Sequence, residues 1–350
     1  MSEQCYTPPD AGSPPPVPPA PPRRRSMRPL TLLLVITLAI CVAAAAITWV
    51  WLLPDNLMGS GEEGGSTGDV WGSELSVSFE FEYDVHLLGE NTSIDFTVAI
   101  PRTLEMRQEV GDISFNPQPL EVFDDGDNRY ARFLFQYPVQ DFTVTISGNA
   151  RLFGYDLSRA MEVPGPRDDW DAGEYLEGER YLEVTDEGIQ SAAVGIEGRD
   201  ALQTVELVYD YVLENMEYSG YEPGEVGAAE ALRRGNGDCT EFSDLMVTLC
   251  RAKGIPTRFA EGFVIDDFTG IYVHDWVEAY IEPYGWAPFD PTYADSGSAS
   301  FKELEPILLR TSDKRNDDIL QGYHYWSYSY EGDPVEISDH YRFRITSKLE

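Results

Sequence analysis

Between Leu30 and Leu53 the chain runs for 24 residues without a charged side chain, in a composition dominated by Leu, Ile, Val and Ala. As a helix such a run spans about 36 Å, enough to cross a bilayer with some tilt. Arg23, Arg24, Arg25 and Arg28 precede it and Asp55, Glu62 and Glu63 follow it. The positive-inside rule then places the N-terminus in the cytoplasm and everything after Pro54 outside the cell. The competing reading is a cleaved signal peptide, for which Ala43 to Ala46 offer small residues. The apolar run continues through Ile47, Trp49, Val50 and Leu53 behind a long leader, which favours an uncleaved single-pass anchor in the cell membrane.

The anchor divides the chain. Residues 1–29 form a cytoplasmic tail with nine prolines between positions 7 and 22, a composition that favours extended polyproline II over any core. Residues 30–53 are the expected transmembrane helix, and residues 54–72 a Gly/Ser/Glu-rich flexible linker. The folded part begins near Ser73. Its acidity limits its partners: 25 Lys and Arg stand against 61 Asp and Glu, a net charge of -36. No surface of that sign takes up a phosphate backbone, so nucleic acid is excluded as a partner. With 42% apolar and 12% aromatic residues the chain can bury real cores, which excludes wholesale disorder.

Residues 73–160 read as an all-β sandwich. Leu75, Val77, Phe79, Phe81, Tyr83 and Val85 alternate with polar residues, the pattern of a half-buried strand. Similar runs recur at Ile94 to Val98, Tyr130 to Phe135 and Phe142 to Ile146. Asp124-Asp125-Gly126-Asp127-Asn128 lacks the length and terminal glutamate of a calcium loop and reads as a hairpin turn. Residues 165–300 are expected to be α+β. Helical stripes run over Asp200 to Tyr218 and Cys239 to Lys253, ending at Gly254, with a short helix at Ala229 to Arg234. Strands return at Phe259 to Ile265, Ile271 to Ile281 and Trp286 to Phe289. Residues 301–350 read as a Tyr-rich β-hairpin extension turned near Gly332-Asp333-Pro334.

Chemistry concentrates in the α+β part. Cys239 and Cys250 lie on one helix about 16 Å apart, too far for a disulfide. Cys250 sits among apolar residues and reads as a core thiol. Cys239 opens its helix after Gly235-Asn236-Gly237-Asp238, where unsatisfied N–H groups and the helix dipole favour a thiolate. A thiol hydrolase also needs an imidazole to move its proton and a carboxylate to orient that imidazole. His274 lies on a strand whose alternation puts it with Tyr272, Trp276, Glu278 and Tyr280, opposite the core-facing Val273, Val277 and Ala279. Asp290 follows on the next strand. A four-residue turn at Glu282 to Gly285 would put Asp290 on the wrong face, so a bulge or longer turn is expected near Pro283 or Pro288.

Four blocks carry a resemblance. They are Gly237-Asp238-Cys239-Thr240-Glu241-Phe242, Arg251-Ala252-Lys253-Gly254-Ile255-Pro256-Thr257-Arg258, His274-Asp275-Trp276-Val277-Glu278, and Gly285-Trp286 with Phe289-Asp290-Pro291-Thr292. His follows Cys by 35 residues and Asp follows His by 16. In order and spacing this resembles the transglutaminase-like superfamily of papain-like cysteine hydrolases and acyltransferases, in a membrane-anchored prokaryotic form, over roughly residues 175–295. The resemblance implies that Cys239 is the nucleophile, His274 the general base and acid, and Asp290 its orienting partner. It implies a second oxyanion donor beside the Cys239 N–H, for which Tyr218 is the candidate, with Trp276 and Trp286 as candidate cleft walls. No metal or organic cofactor is expected, since no HExxH, CxxC or Gly-rich phosphate loop occurs. The expected substrate is a protein or peptide, including a cell-envelope component. Two other readings stay open: a non-catalytic module that binds peptides or cell-surface polymers, and a structural ectodomain that self-associates through its Tyr-rich end.

Overall fold

The computed structural model describes residues 73–158, 172–221, 224–266, 270–296 and 300–349. The expected tail, membrane helix and linker, residues 1–72, lie outside the described residues. Among the described residues no helix is long and apolar enough to cross a membrane.

Strands β1 (Glu74–Leu87), β2 (Thr92–Ile100), β3 (Gln108–Val110), β4 (Ser114–Asn116), β5 (Glu121–Asp125), β6 (Asn128–Gln136), β7 (Phe142–Phe153) and β8 (Tyr155–Asp156) come first. Helices then enter: α1 (Glu187–Val194), α2 (Ala201–Asn215), β9 (Glu217–Tyr218), α3 (Ala228–Arg234), β10 (Asn236–Gly237) and α4 (Cys239–Ala252). The chain closes with β11 (Thr257–Asp266), β12 (Gly270–Ile281), β13 (Gly285–Phe289), α5 (Pro291–Ser296), β14 (Glu303–Leu304), β15 (Leu308–Ser312), β16 (Trp326–Gly332) and β17 (Val335–Leu349).

The alternating side chains of β1 decide the first core. Leu75, Val77, Phe79, Phe81, Tyr83 and Val85 are all buried. One sheet runs β17-β1-β7-β3 with β4 also on β7, and a second runs β16-β2-β6-β5. Phe81 and Ile146 of the first share a core with Phe96 and Phe133 of the second. Asp125 pairs with Asn128 across a tight turn at Gly126, whose φ is 59°, so the acidic run is the hairpin turn its sequence suggests. The C-terminal strands correct the expected hairpin extension. β16 pairs with β2 and β17 with β1, so the two strands part at Gly332-Asp333-Pro334 and complete opposite sheets. The reason is apolar area: Trp326, Tyr328, Val335 and Ile337 are buried in the shared core, which a free two-stranded hairpin could not offer them.

The third sheet, β13-β12-β11-β15, carries α4 on one face. Phe242, Leu245, Met246 and Leu249 of the helix pack with Phe259, Val277, Ala279 and Phe289 of the sheet, and with Val205, Val208 and Val212 of α2. Asp200 caps α2, its side chain accepting from the Gln203 N–H at 2.8 Å. At its other end the sheet joins the first core through Phe263, Ile265 and Leu309, the Phe263 ring lying 5.0 Å from that of Phe81.

The face of β12 opposite the helix is also buried, which sequence alternation alone did not reveal. Trp276 and Glu278 are each 2% exposed. Glu278 Oε2 accepts from Arg258 Nε and Arg310 Nη1, both at 2.8 Å. Arg258 Nη1 donates to both Asp127 and Asp313, Nη2 lies 2.6 Å from Glu278 Oε2, and the guanidinium lies 4.2 Å above the Trp286 ring.

Candidate active site

The site forms where α4 begins. Asp238 is its N-cap, accepting from the Thr240 N–H at 2.9 Å, while Glu241 Oε2 accepts from the Asp238 N–H at 3.1 Å. This capping box stabilises the helix by about 1 kcal/mol and fixes Cys239 in the first turn, partly exposed. Gly237 is required by close approach, since a Cβ there would lie 2.4 Å from Cβ of Glu241. β9 and β10 pair in parallel, Tyr218 opposite Gly237, and so bring Tyr218 to the same helix end.

His274 and Asp290 meet. His274 Nε2 lies 2.7 Å from Asp290 Oδ2, both side chains buried. The register that allows this differs from the one expected. Ile281 pairs with Gly285 and Val277 with Phe289, without a register shift, so the turn is three residues, Glu282 to Tyr284. No bulge is present. Gly285, at φ 67°, closes the shorter turn in a conformation that L side chains avoid. The one-residue difference puts Asp290 on the His274 face. Asp290 is held in turn by α5, its Oδ1 accepting from the Tyr293 N–H at 3.0 Å. The His274 ring packs against Trp276 and, edge-on at 5.1 Å, against Tyr293.

Cys239 Sγ lies 4.0 Å from Asp275 Oδ2, on the residue next to His274, and Thr240 Oγ1 donates to the same oxygen at 2.7 Å. The electrostatics correct the thiolate expectation. Burial pushes the Cys239 thiol well above its ordinary value, and the carboxylates of Asp275 and Asp238 push it further. The helix terminus does not face the sulfur alone: two anions flank it. For His274, burial lowers the pKa, but Asp290, then Asp275 and Asp238, outweigh that and raise it.

Of the other candidates, Tyr218 is half-exposed and its hydroxyl is raised by burial and by the proximity of Cys239 and Asp238. Trp276 supports the His274 ring from a buried position. Trp286 meets the Tyr175 and Tyr280 rings edge-on and lies under the Arg258 guanidinium, on the buried charge cluster rather than against the thiol. Cys250 is fully buried, its thiol pushed up to about 12 by burial.

Residues that sequence reasoning passed over complete the surroundings. Glu261 lies opposite Asp275 in the sheet, and His324 bridges Glu261 and Glu225 at 2.5 and 2.6 Å. Arg315 binds Asp244 with two bonds, of 2.7 and 3.1 Å. Tyr325, at φ 61°, brings its phenol close to Asp275, Glu261 and Cys239. Their only sequence signal was polarity at otherwise buried positions, which becomes visible once β11 and β12 are paired. Among the described residues Glu261, Asp275 and His324 are the group able to hold a metal ion.

Known proteins bear on this geometry. A solved structure from Cytophaga hutchinsonii, described as a candidate cysteine protease, superposes with a TM-score of 0.55 at 19% identity, over 78% of this chain and 91% of that one. The periplasmic domain of TgpA from Pseudomonas aeruginosa is 16% identical, covering 62% of this chain and 88% of that domain, with a TM-score of 0.32. The uncharacterized protein YebA of Bacillus subtilis strain 168 is 25% identical over 184 residues, 45% of this chain. This chain spans only 24% of the length of YebA. The chain therefore carries, over residues 190–291, a segment that matches the transglutaminase-like superfamily core, a span that contains Cys239, His274 and Asp290.

Proposed function

We propose that this chain is a membrane-anchored, extracellular cysteine hydrolase or acyltransferase that cleaves peptide or amide bonds through Cys239, His274 and Asp290. The observation that carries the reading is the His274–Asp290 contact at 2.7 Å on the strand that passes Cys239. With Nε2 committed to Asp290, Nδ1 is the nitrogen that exchanges protons with the thiol. Cys239 Sγ attacks the carbonyl carbon as its proton passes to His274. The C–N bond breaks, the leaving amine takes that proton, and a thioester remains on Cys239. Water or a second amine then attacks the thioester, gives its proton to His274, and the thiolate leaves as the thiol. The Cys239 N–H, unused by the helix, and the Tyr218 hydroxyl are the proposed donors to the oxyanion. Burial and flanking carboxylates keep the resting thiol protonated, so sulfur is activated during attack rather than beforehand. Anchoring by residues 30–53 would place the reaction at the outer membrane surface, on a protein, peptide or cell-envelope substrate.

The test pairs a glutamine-rich protein such as casein with a fluorescent primary amine. The expected result is a Cys239-dependent reaction, read as amine incorporation if the acceptor is an amine and as new termini or released ammonia if it is water. A folded protein that binds casein with no turnover in either channel would overturn the proposal in favour of a binding module.

A further inference from the structure

We infer that Glu261, Asp275 and His324 form a binding site for one divalent transition-metal cation, zinc by its donor set, beside the candidate nucleophile. One donor atom from each residue lies within 4.8 Å of the other two. The residues come from separate elements: β11, the facing position on β12, and the segment entering β16.

The Asp275 carboxylate is 4% exposed. Its Oδ2 accepts from Thr240, but its Oδ1 is buried and meets no donor among the described residues. A buried carboxylate oxygen left unpaired is destabilising, and a cation held between Asp275, Glu261 and His324 would satisfy it. The imidazole is arranged as a ligand. Its Nδ1 is turned to Glu261 at 2.5 Å, while Nε2 is held by Glu225 Oε1 at 2.6 Å. Glu225 is itself fixed, its Oε2 lying 3.1 Å from Arg315 Nη2. An outer carboxylate on the far ring nitrogen is what orients a metal-binding histidine and sets its tautomer.

Charge points the same way. The carboxylates of Glu225, Asp244, Glu261 and Asp275 are contiguous with two cationic groups, Arg315 and His324. With all four carboxylates ionised and the imidazole protonated the group is two charges negative, and a divalent ion supplies what is missing. One imidazole nitrogen with two carboxylates and an open position suits zinc better than magnesium or calcium, which favour all-oxygen sites. Zinc would hold its donors about 3.4 Å apart, so the Glu261–His324 pair, at 2.5 Å, opens by about 1 Å as the ion takes the place of the Nδ1 proton, and any pair wider than about 3.4 Å, up to the 4.8 Å limit, closes onto it. The site needs no particular role for Cys239.

The full-length chain, stripped with chelator, is titrated with zinc chloride in excess magnesium, which saturates the diffuse acidic surface. Bound metal is read by elemental analysis and calorimetry. The expected result is one zinc per chain, lost in Asp275→Asn, weakened roughly 10- to 100-fold in Glu225→Gln, and unchanged in Cys239→Ala. Glu225→Gln leaves all three donors in place and serves if Asp275→Asn does not fold. Absence of stoichiometric zinc, zinc retained unchanged in both carboxylate variants, or zinc lost in Cys239→Ala would each overturn the inference. The first outcome would identify a protonated His324 bridging carboxylates, and the last a thiol-held ion. Because Cys239→Ala is inactive under the proposed function yet binds zinc here, failure of either reading is seen separately.

Discussion

Cys239→Ala is expected to lower turnover of an activated acyl ester by about 10⁶-fold, while Cys250→Ala leaves it within about twofold. Both thiols lie on α4, so the contrast separates chemistry from helix stability. Cys239 sits in the first turn, partly exposed, beside the strand that carries His274. Cys250 is fully buried among apolar neighbours and has no route to a substrate. Asp290→Asn is expected to fall between them, losing about 10⁴-fold, because an amide in place of the carboxylate favours the wrong imidazole tautomer. Initial rates for the three variants, with circular dichroism to establish folding, check the order. Equal losses for Asp290→Asn and Cys250→Ala would mean that Asp290 acts only as the cap of α5.

The second large effect concerns stability. Glu278→Gln is expected to destabilise the fold by about 3 to 5 kcal/mol, read by urea denaturation. Its carboxylate is 2% exposed and lies between the buried guanidinium groups of Arg258 and Arg310. Removing the anion leaves two buried cations with only Asp313 and Asp127 as anionic partners. Burial alone would raise the Glu278 pKa, but Arg310, Arg258 and Arg107 reverse that and bring it from 4.5 to about 2. Because the folded value is depressed, this contribution is present above pH 4.5 and is lost as pH falls toward 2. At roughly 1.4 kcal/mol per unit the shift corresponds to about 3 kcal/mol. Wild type should therefore lose stability across that window and Glu278→Gln should lose less. Parallel acid profiles for the two proteins would show that Glu278 is not the group responsible.

What was legible in the sequence followed from local rules. The alternation of β1 needs only one buried face, and α4 announces itself through its cap, its apolar stripe and Gly254. The blocks around Cys239, His274 and Asp290 stand out in the sequence because their motifs are short. The contact between His274 and Asp290 was not legible, because one residue of turn length decides which face Asp290 takes. Gly285 was the clue: a left-handed glycine ends the turn at three residues. The C-terminal strands look like a hairpin locally because the turn signal is real, but the buried faces of β1 and β2 recruit them separately. The polar residues of β12 were read as a surface face, since nothing near Glu278 in sequence reveals that Arg310 and Arg107 will cover it. Likewise, a helix terminus suggests an acidic thiol, whereas the opposite influence comes first from burial and then from Asp275, both set by the packing of α4 on the sheet.

The central claim, that Cys239 attacks a carbonyl with His274 as its base, is tested most directly by intact mass after mixing the protein with an activated ester and quenching in acid. The expected result is one acyl group per chain, located to Cys239, that disappears on chasing with water or a primary amine. In His274→Ala the same adduct should form about 10² to 10⁴ times more slowly. Acylation at that site with the same rate in His274→Ala, or no acylation of a folded wild-type protein, would contradict it.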